Sequence, residues 1–185
     1  MSKELLQWVE ISSSALKHNI QKARHLIGSS KKMTVVVKAN AYGHGILEIS
    51  KLASKCRADW LGVNSVEEAL FLRRNRINLP IILLGYAPFP ELRRAVEKRF
   101  RLTVYNRETI DRLGKITSRI KRKAYLHIKL ETGTHRQGIE KEDLLPFIER
   151  IKNYPYLIVE GISTHFANIE DTTDHSYAQS QLQRF

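Results

Sequence analysis

Three stretches of this sequence set a chemically active side chain at the end of an apolar run or just past it. In the first, Val35-Val36-Val37 is followed by Lys38 and then by Ala39-Asn40-Ala41-Tyr42-Gly43-His44-Gly45. In the second, the alternating segment Leu126-His127-Ile128-Lys129-Leu130 runs into Glu131-Thr132-Gly133-Thr134-His135-Arg136-Gln137-Gly138. The third is Val159-Glu160-Gly161-Ile162-Ser163-Thr164-His165-Phe166-Ala167. A lysine amine condenses with an aldehyde only in its deprotonated form, which partial burial and cationic neighbours favour. Gly43 and Gly45 supply the backbone freedom for a tight turn and for close approach of a ligand. Taken one at a time, these residues have plainer explanations. Alone, Lys38 reads more often as a solvated surface charge and His165 more often as a hydrogen-bonded structural histidine, while Lys129 reads equally as an unmodified lysine paired with a carboxylate. His44 divides between a structural hydrogen bond and a ligand contact.

The elements that must position them alternate throughout. The valine run reads as a strand buried on both faces, so Lys38 falls at its C-terminal end, where a parallel α/β barrel keeps its active site. Strands are predicted at residues 8–11, 34–37, 60–63, 81–84, 101–104, 125–130 and 157–163. Helices are predicted from Ser12-Ser13-Ser14 to about 26, and at 45–55, 66–74, 91–99, 107–116 and 141–153. Residues 1–30 form a lead-in strand and helix, and residues 31–185 form βα repeats. The expected fold is α/β, of (β/α)8 TIM-barrel type, and only its N-terminal portion. About six βα units are present against the eight that close such a barrel. Residues 173–185 read as a helix with Tyr177, Leu182 and Phe185 on one side. That pattern breaks off without a capping signal, as in an interrupted barrel. The late barrel strands and a C-terminal β domain are expected to be absent.

At 185 residues, 42% hydrophobic and 27% charged, the composition is that of a globular domain. The first eleven residues carry Lys3, Glu4 and Glu10 and lack the apolar core of a secretory signal. No apolar run approaches the ~20 residues of a membrane span. A single cysteine, Cys56, cannot form an intrachain disulfide, which is compatible with the cytoplasm. The net charge of +12 raises the question of a nucleic-acid partner. The basic residues are dispersed, however, and read as a solvated surface. Lys121-Arg122-Lys123 is the best candidate for an anion patch, with no nucleic-acid motif beside it. The histidines form no pair with metal-ligand spacing, and neither a dinucleotide fingerprint nor a phosphate loop occurs. No metal, nucleic acid or membrane is expected as a partner.

Lys-Ala-Asn-Ala-Tyr-Gly-His-Gly at residues 38–45 resembles the lysine motif of the alanine racemases, pyridoxal-phosphate enzymes of the barrel type. The stretch at 129–138 resembles their Lys-x-Asp-Thr-Gly-Met-x-Arg-x-Gly motif, with Glu131 in place of aspartate and Thr134 in place of methionine. The stretch at 160–167 is similar to their Glu-Gly-x-x-Thr-His-Phe-Ala. Three motifs occur in the right order, from residue 35 to residue 167.

The resemblance implies that Lys38 is catalytic, holding pyridoxal 5'-phosphate and moving a proton at one face of the substrate's α-carbon. It further implies cofactor contacts from Tyr42 to the phosphate, from Arg136 to the phenolic oxygen and from His165 to the pyridine ring. Arg136 would also bind the substrate carboxylate, a task suited to a planar, permanently charged fork. Some relatives carry a carbamylated lysine at the position of Lys129. The implied reaction is interconversion of L- and D-alanine, which supplies D-alanine for the peptidoglycan of the bacterial cell wall. It takes place in a cytoplasmic homodimer whose partner subunit contributes a tyrosine as second base. The 185 residues alone are expected to be inactive. Two alternatives are a non-catalytic pyridoxal-phosphate-binding fragment or carrier, and a racemase for another amino acid.

Overall fold

The computed structural model describes residues 7–171 and 173–185. The chain divides into two compact units, Met1–Ile82 and Leu83–Phe185. In the first, the order is α1 (Ser13–Ile27), β1 (Thr34–Val36), the one-turn helix α2 (Lys38–Tyr42), α3 (Ile46–Lys55), β2 (Trp60–Val63) and α4 (Val66–Arg74). β3 (Ile81–Leu83) spans the division. The second continues with α5 (Leu92–Glu97), β4 (Arg101–Val104), α6 (Arg107–Ile120), β5 (Ala124–Lys129), α7 (Leu144–Lys152), β6 (Leu157–Ser163) and α8 (Ser176–Arg184).

Helix starts follow from side-chain oxygens that satisfy the first free amides. Ser12 Oγ accepts from Ala15 N–H at 3.2 Å, Ser65 Oγ from Glu68 N–H at 3.2 Å, and Asn106 Oδ1 from Thr109 N–H at 2.8 Å. α5 ends two residues short of the expected boundary, where Arg99 adopts a left-handed conformation (φ 57°). α6 runs four residues past its expected end and closes on the left-handed Lys121.

Pairing is parallel wherever the register is defined. β1 pairs with β2 through Thr34↔Trp60 to Val36↔Gly62, β4 with β5 from Arg101↔Tyr125, and β5 with β6 from Ala124↔Leu157. In the first unit Val37, Ala53, Leu61, Val63, Val66, Ala69 and Leu72 are wholly buried; in the second, Ile110, Leu113, Leu126 and Ile128 are. Each such aliphatic side chain larger than alanine contributes about 1.5–3 kcal/mol relative to exposure. Six parallel strands alternating with helices make an α/β architecture of TIM-barrel type, the expected class, with six of the eight strands of a closed barrel.

Three expectations need correction. Residues 8–11 are not a strand: they have no ladder partner among the described residues, and Trp8 and Val9 are exposed. The valine run is not buried on both faces. Among the described residues β1 has one hydrogen-bonded neighbour, β2; Thr34 and Val36 are exposed, and of the three valines only Val37 is fully buried. On α8 the expected apolar side, Tyr177, Leu182 and Phe185, is exposed, and the buried positions are Ala178 and Gln181. No helix among the described residues is long and apolar enough to cross a membrane.

Candidate functional site

In the first unit, β1 delivers Lys38 to an abrupt change of hand. Val37 N–H donates to Gly62 O at 2.8 Å, which keeps the chain in the ladder up to the residue before the lysine. From Ala39 to Tyr42 all four φ values lie between 51° and 55°, a full left-handed helical turn built from residues other than glycine. Such a turn costs roughly 1–2 kcal/mol per residue, so surrounding groups must hold it. Several do. Ala41 N–H donates to Val37 O at 2.9 Å and Gly45 N–H to Asn40 O at 3.0 Å. Asn40 Oδ1 accepts from Ile46 N–H at 2.9 Å, tying the turn to the start of α3. The Glu68 carboxylate accepts from Ala39 N–H at 2.6 Å and from Asn64 N–H at 2.7 Å. His44 Nδ1 lies 2.8 Å from Ala41 O, so Nδ1 carries the proton and the imidazole serves the turn. Lys38 is half-buried at the head of this turn, and Tyr42, 63% exposed, stands at its far end.

Glu68 and Asn40 were missed as site residues. Ser65-x-x-Glu68 is legible as a helix-start signature, but not as the brace of a turn nearly thirty residues earlier. Asn40 is the one residue type in the turn that tolerates a left-handed conformation readily.

The second unit assembles the other candidates. Lys129 ends β5 and is 9% exposed. Burial, reinforced by the neighbouring charge of Arg136 and opposed by Glu131, lowers its amine to about 8. The chain beyond it closes on itself, with Glu131 N–H donating to Ile139 O and Ile139 N–H to Lys129 O, both at 2.9 Å. Inside this loop the Glu131 carboxylate accepts from Gly133 N–H and Thr134 N–H at 2.6 Å and from Arg136 N–H at 3.2 Å. Burial pushes the Glu131 carboxyl up, but backbone N–H groups from Gly133 through Arg136 outweigh it and hold it down at about 2. The glutamate found in place of aspartate thus anchors the segment that carries Arg136, whose side chain is exposed. Gly138 has no room for a side chain: a Cβ there would lie 2.5 Å from Glu131 N.

His165 follows β6. Its carbonyl accepts from Thr134 Oγ1 at 2.7 Å and from Gln181 Nε2 at 2.9 Å. Thr132 Oγ1 and Thr164 Oγ1 are 2.6 Å apart. The segments that carry Arg136 and His165 are therefore joined within the second unit, and the charge of Arg136 reaches Lys129, while Lys38 and Tyr42 are organised within the first. His127, for which the sequence offers no role, donates from Nε2 to Glu160 Oε2 (3.2 Å), and Glu160 also takes two bonds from Arg101. A register shift beside His127 leaves Glu160 as the unpaired residue between Val159 and Gly161. No group of three metal-ligating side chains occurs among the described residues.

Parallel strands alternating with helices, with the candidate side chains at or just beyond the strands' carboxyl ends, define a class: α/β chains of TIM-barrel type. Within that class, residues 11–185 match the family "Alanine racemase, N-terminal domain", and the chain belongs to it. Alanine racemase 2 of Caldanaerobacter subterraneus is 38% identical over 178 residues, covering 96% of this chain and 46% of that protein. The alanine racemase of Bacillus anthracis, solved with bound L-Ala-P, superposes with a TM-score of 0.88 at 35% identity, covering 96% of this chain and 46% of its own. The histidine racemase of Leuconostoc mesenteroides gives a TM-score of 0.86 at 27% identity, covering 93% of this chain and 46% of its own. The chain spans about half the length of the curated relatives it matches.

Proposed function

We propose that this chain is the lysine-bearing part of a pyridoxal-phosphate-dependent alanine racemase that interconverts L- and D-alanine. The observation that carries the reading is Lys38, held half-buried at the end of β1 by a braced left-handed turn. The donor set fits the cofactor: a primary amine for an aldehyde, a phenol for a phosphate, a guanidinium for an anionic oxygen and an imidazole for an aromatic ring. When bound, the cofactor's electron-poor ring acidifies the substrate's α-proton.

The chain's own residues divide the remaining work. The Lys38 amine would hold the cofactor and, once released by the substrate's own amino group, would take or return the α-proton on one face. Tyr42 directs its hydroxyl to the phosphate. Arg136 would bind the phenolic oxygen and the substrate carboxylate, and the His165 imidazole would face the pyridine ring. Lys129, with its amine lowered to about 8, has enough neutral form to add carbon dioxide, losing a proton and gaining a negative charge that would orient Arg136. Inversion needs a second acid/base group on the opposite face, assigned to a tyrosine of the partner subunit in a homodimer. The proposed setting is the bacterial cytoplasm, where D-alanine enters peptidoglycan. A second reading, a racemase for another amino acid, is favoured by the likeness to the Leuconostoc histidine racemase.

The test is incubation with pyridoxal phosphate, borohydride reduction and peptide mapping. The label is expected on Lys38 and to be lost in Lys38→Ala. Label spread over surface lysines and unchanged in that variant would overturn the assignment.

A further inference from the structure

α8 presents a polar face to the second unit. Gln181 is 1% exposed. Its Nε2 donates to Thr132 Oγ1 at 3.2 Å and to His165 O at 2.9 Å, and its Oε1 accepts from Ala167 N–H at 2.8 Å. The partners fix the orientation of the amide, because a backbone carbonyl only accepts and a backbone N–H only donates. On the same face, one turn before, Tyr177 Oη donates to Gly133 O at 2.6 Å. One turn after, Arg184 Nη1 donates to Thr132 O at 3.4 Å. Residues four and three apart share one side of a helix, so all three side chains reach the loop after β5, and Gln181 alone of the three also bonds to the loop after β6.

Those loops are the segment after β5 that carries Arg136 and the segment after β6 that carries His165. A leucine at position 181 would fill similar space without the cost of burying an amide, yet it would leave the Ala167 N–H unpaired and one acceptor on each loop without its donor. A buried, fully paired amide specifies geometry more sharply than apolar packing does.

We infer that Gln181 is a positioning residue that locks the Arg136 loop and the His165 segment into one register, so that guanidinium and imidazole meet the cofactor together. The inference rests on the cofactor roles proposed above for Arg136 and His165, but its structural half is measurable without cofactor.

Amide hydrogen exchange of the cofactor-free chain comes first. Gln181→Leu should raise exchange about tenfold at Ala167 and at Gly133 and Thr134, on both loops, while the amides of β5 and α6 keep wild-type protection. Leu182→Ala, on the exposed side of the same helix, should change neither loop. Gln181→Glu supplies a signature that packing alone would not give. A carboxylate has no donor for Thr132 or His165 O, whereas the protonated acid has one. Loop protection relative to wild type should therefore recover as the pH is lowered in that variant only. It also stands in for Gln181→Leu if the leucine variant does not fold. In the presence of pyridoxal phosphate, absorbance titration should show about tenfold weaker binding to Gln181→Leu.

Wild-type exchange in both loops of Gln181→Leu, or a pH-independent Gln181→Glu, would overturn the inference. Failure of the wild-type chain to bind pyridoxal phosphate, with the exchange results as expected, would overturn the cofactor reading and leave the loop-locking role standing.

Discussion

At the scale of single residues, the environment of Lys129 makes a quantitative statement. Burial, the adjacent Arg136 charge and the opposing Glu131 leave its amine at about 8 instead of the usual 10.5. The neutral fraction at pH 7 is on the order of a tenth, against less than about a thousandth for a solvated lysine. Because the folded chain binds fewer protons at this site between about 8 and 10.5, its contribution to stability rises with pH across that window. Carbamate formation follows the neutral amine. Added [13C]bicarbonate should give a carbamate carbon signal that grows as the pH rises toward about 9 and that is absent from Lys129→Ala. A signal that persists in the variant, or none at any pH, would exclude the modification. The sequence made Lys129 a candidate through its motif alone, since nothing in the string reveals that the position is closed to water. Glu131 was legible only as a departure from aspartate. Its reach to backbone N–H groups of the Arg136 loop depends on the loop folding back to Ile139, a contact that no local pattern announces.

At the scale of elements, the strands at 60–63, 101–104 and 157–163 and the helix at 66–74 were readable to the residue, because apolar runs and capping signals bound them on both sides. The left-handed turn was not. Ala39 and Ala41 are good right-handed helix formers, and bonds from Asn40, His44 and Glu68 hold the turn against that preference. α8 misled for the opposite reason: a glutamine reads as solvated unless the acceptors waiting for it are known. α6 offers a direct test of packing against propensity. Gly114 sits inside the helix, where alanine would normally gain up to about 1 kcal/mol. A Cβ there would lie 2.2 Å from Cδ1 of Tyr154, whose hydroxyl donates to Asp111 Oδ1 at 3.0 Å while Arg150 Nε donates to the same oxygen at 2.8 Å. The ring is held and cannot withdraw, so the clash decides the sign. Gly114→Ala should lower stability by about 1–3 kcal/mol in urea denaturation. An unchanged or raised midpoint would show that Tyr154 moves aside freely.

At the scale of the whole molecule, chemistry sets a limit on the 185 residues tested by themselves. Lys38 is the one base that the proposal places within these residues, and it would serve one face of the substrate. General acid–base help is typically worth ~10²–10⁴-fold, so the lack of an opposed partner should bring turnover close to that of free cofactor. D-Alanine formation and solvent-deuterium uptake with excess pyridoxal phosphate should not exceed the cofactor alone. Saturable D-alanine production that disappears in Lys38→Ala would reveal a second base within these residues. The pairing pattern carries a consequence for how such a chain comes into being. β1 finds its register on β2, β4 on β5, and β5 on β6, so each of these pairs joins strands that are consecutive in the chain. Contacts made at such short sequence separation keep the entropy of loop closure modest. A ribosome releasing this polypeptide would therefore present each of these strands with its neighbour within a few tens of residues, and the ladders could form in the order of translation.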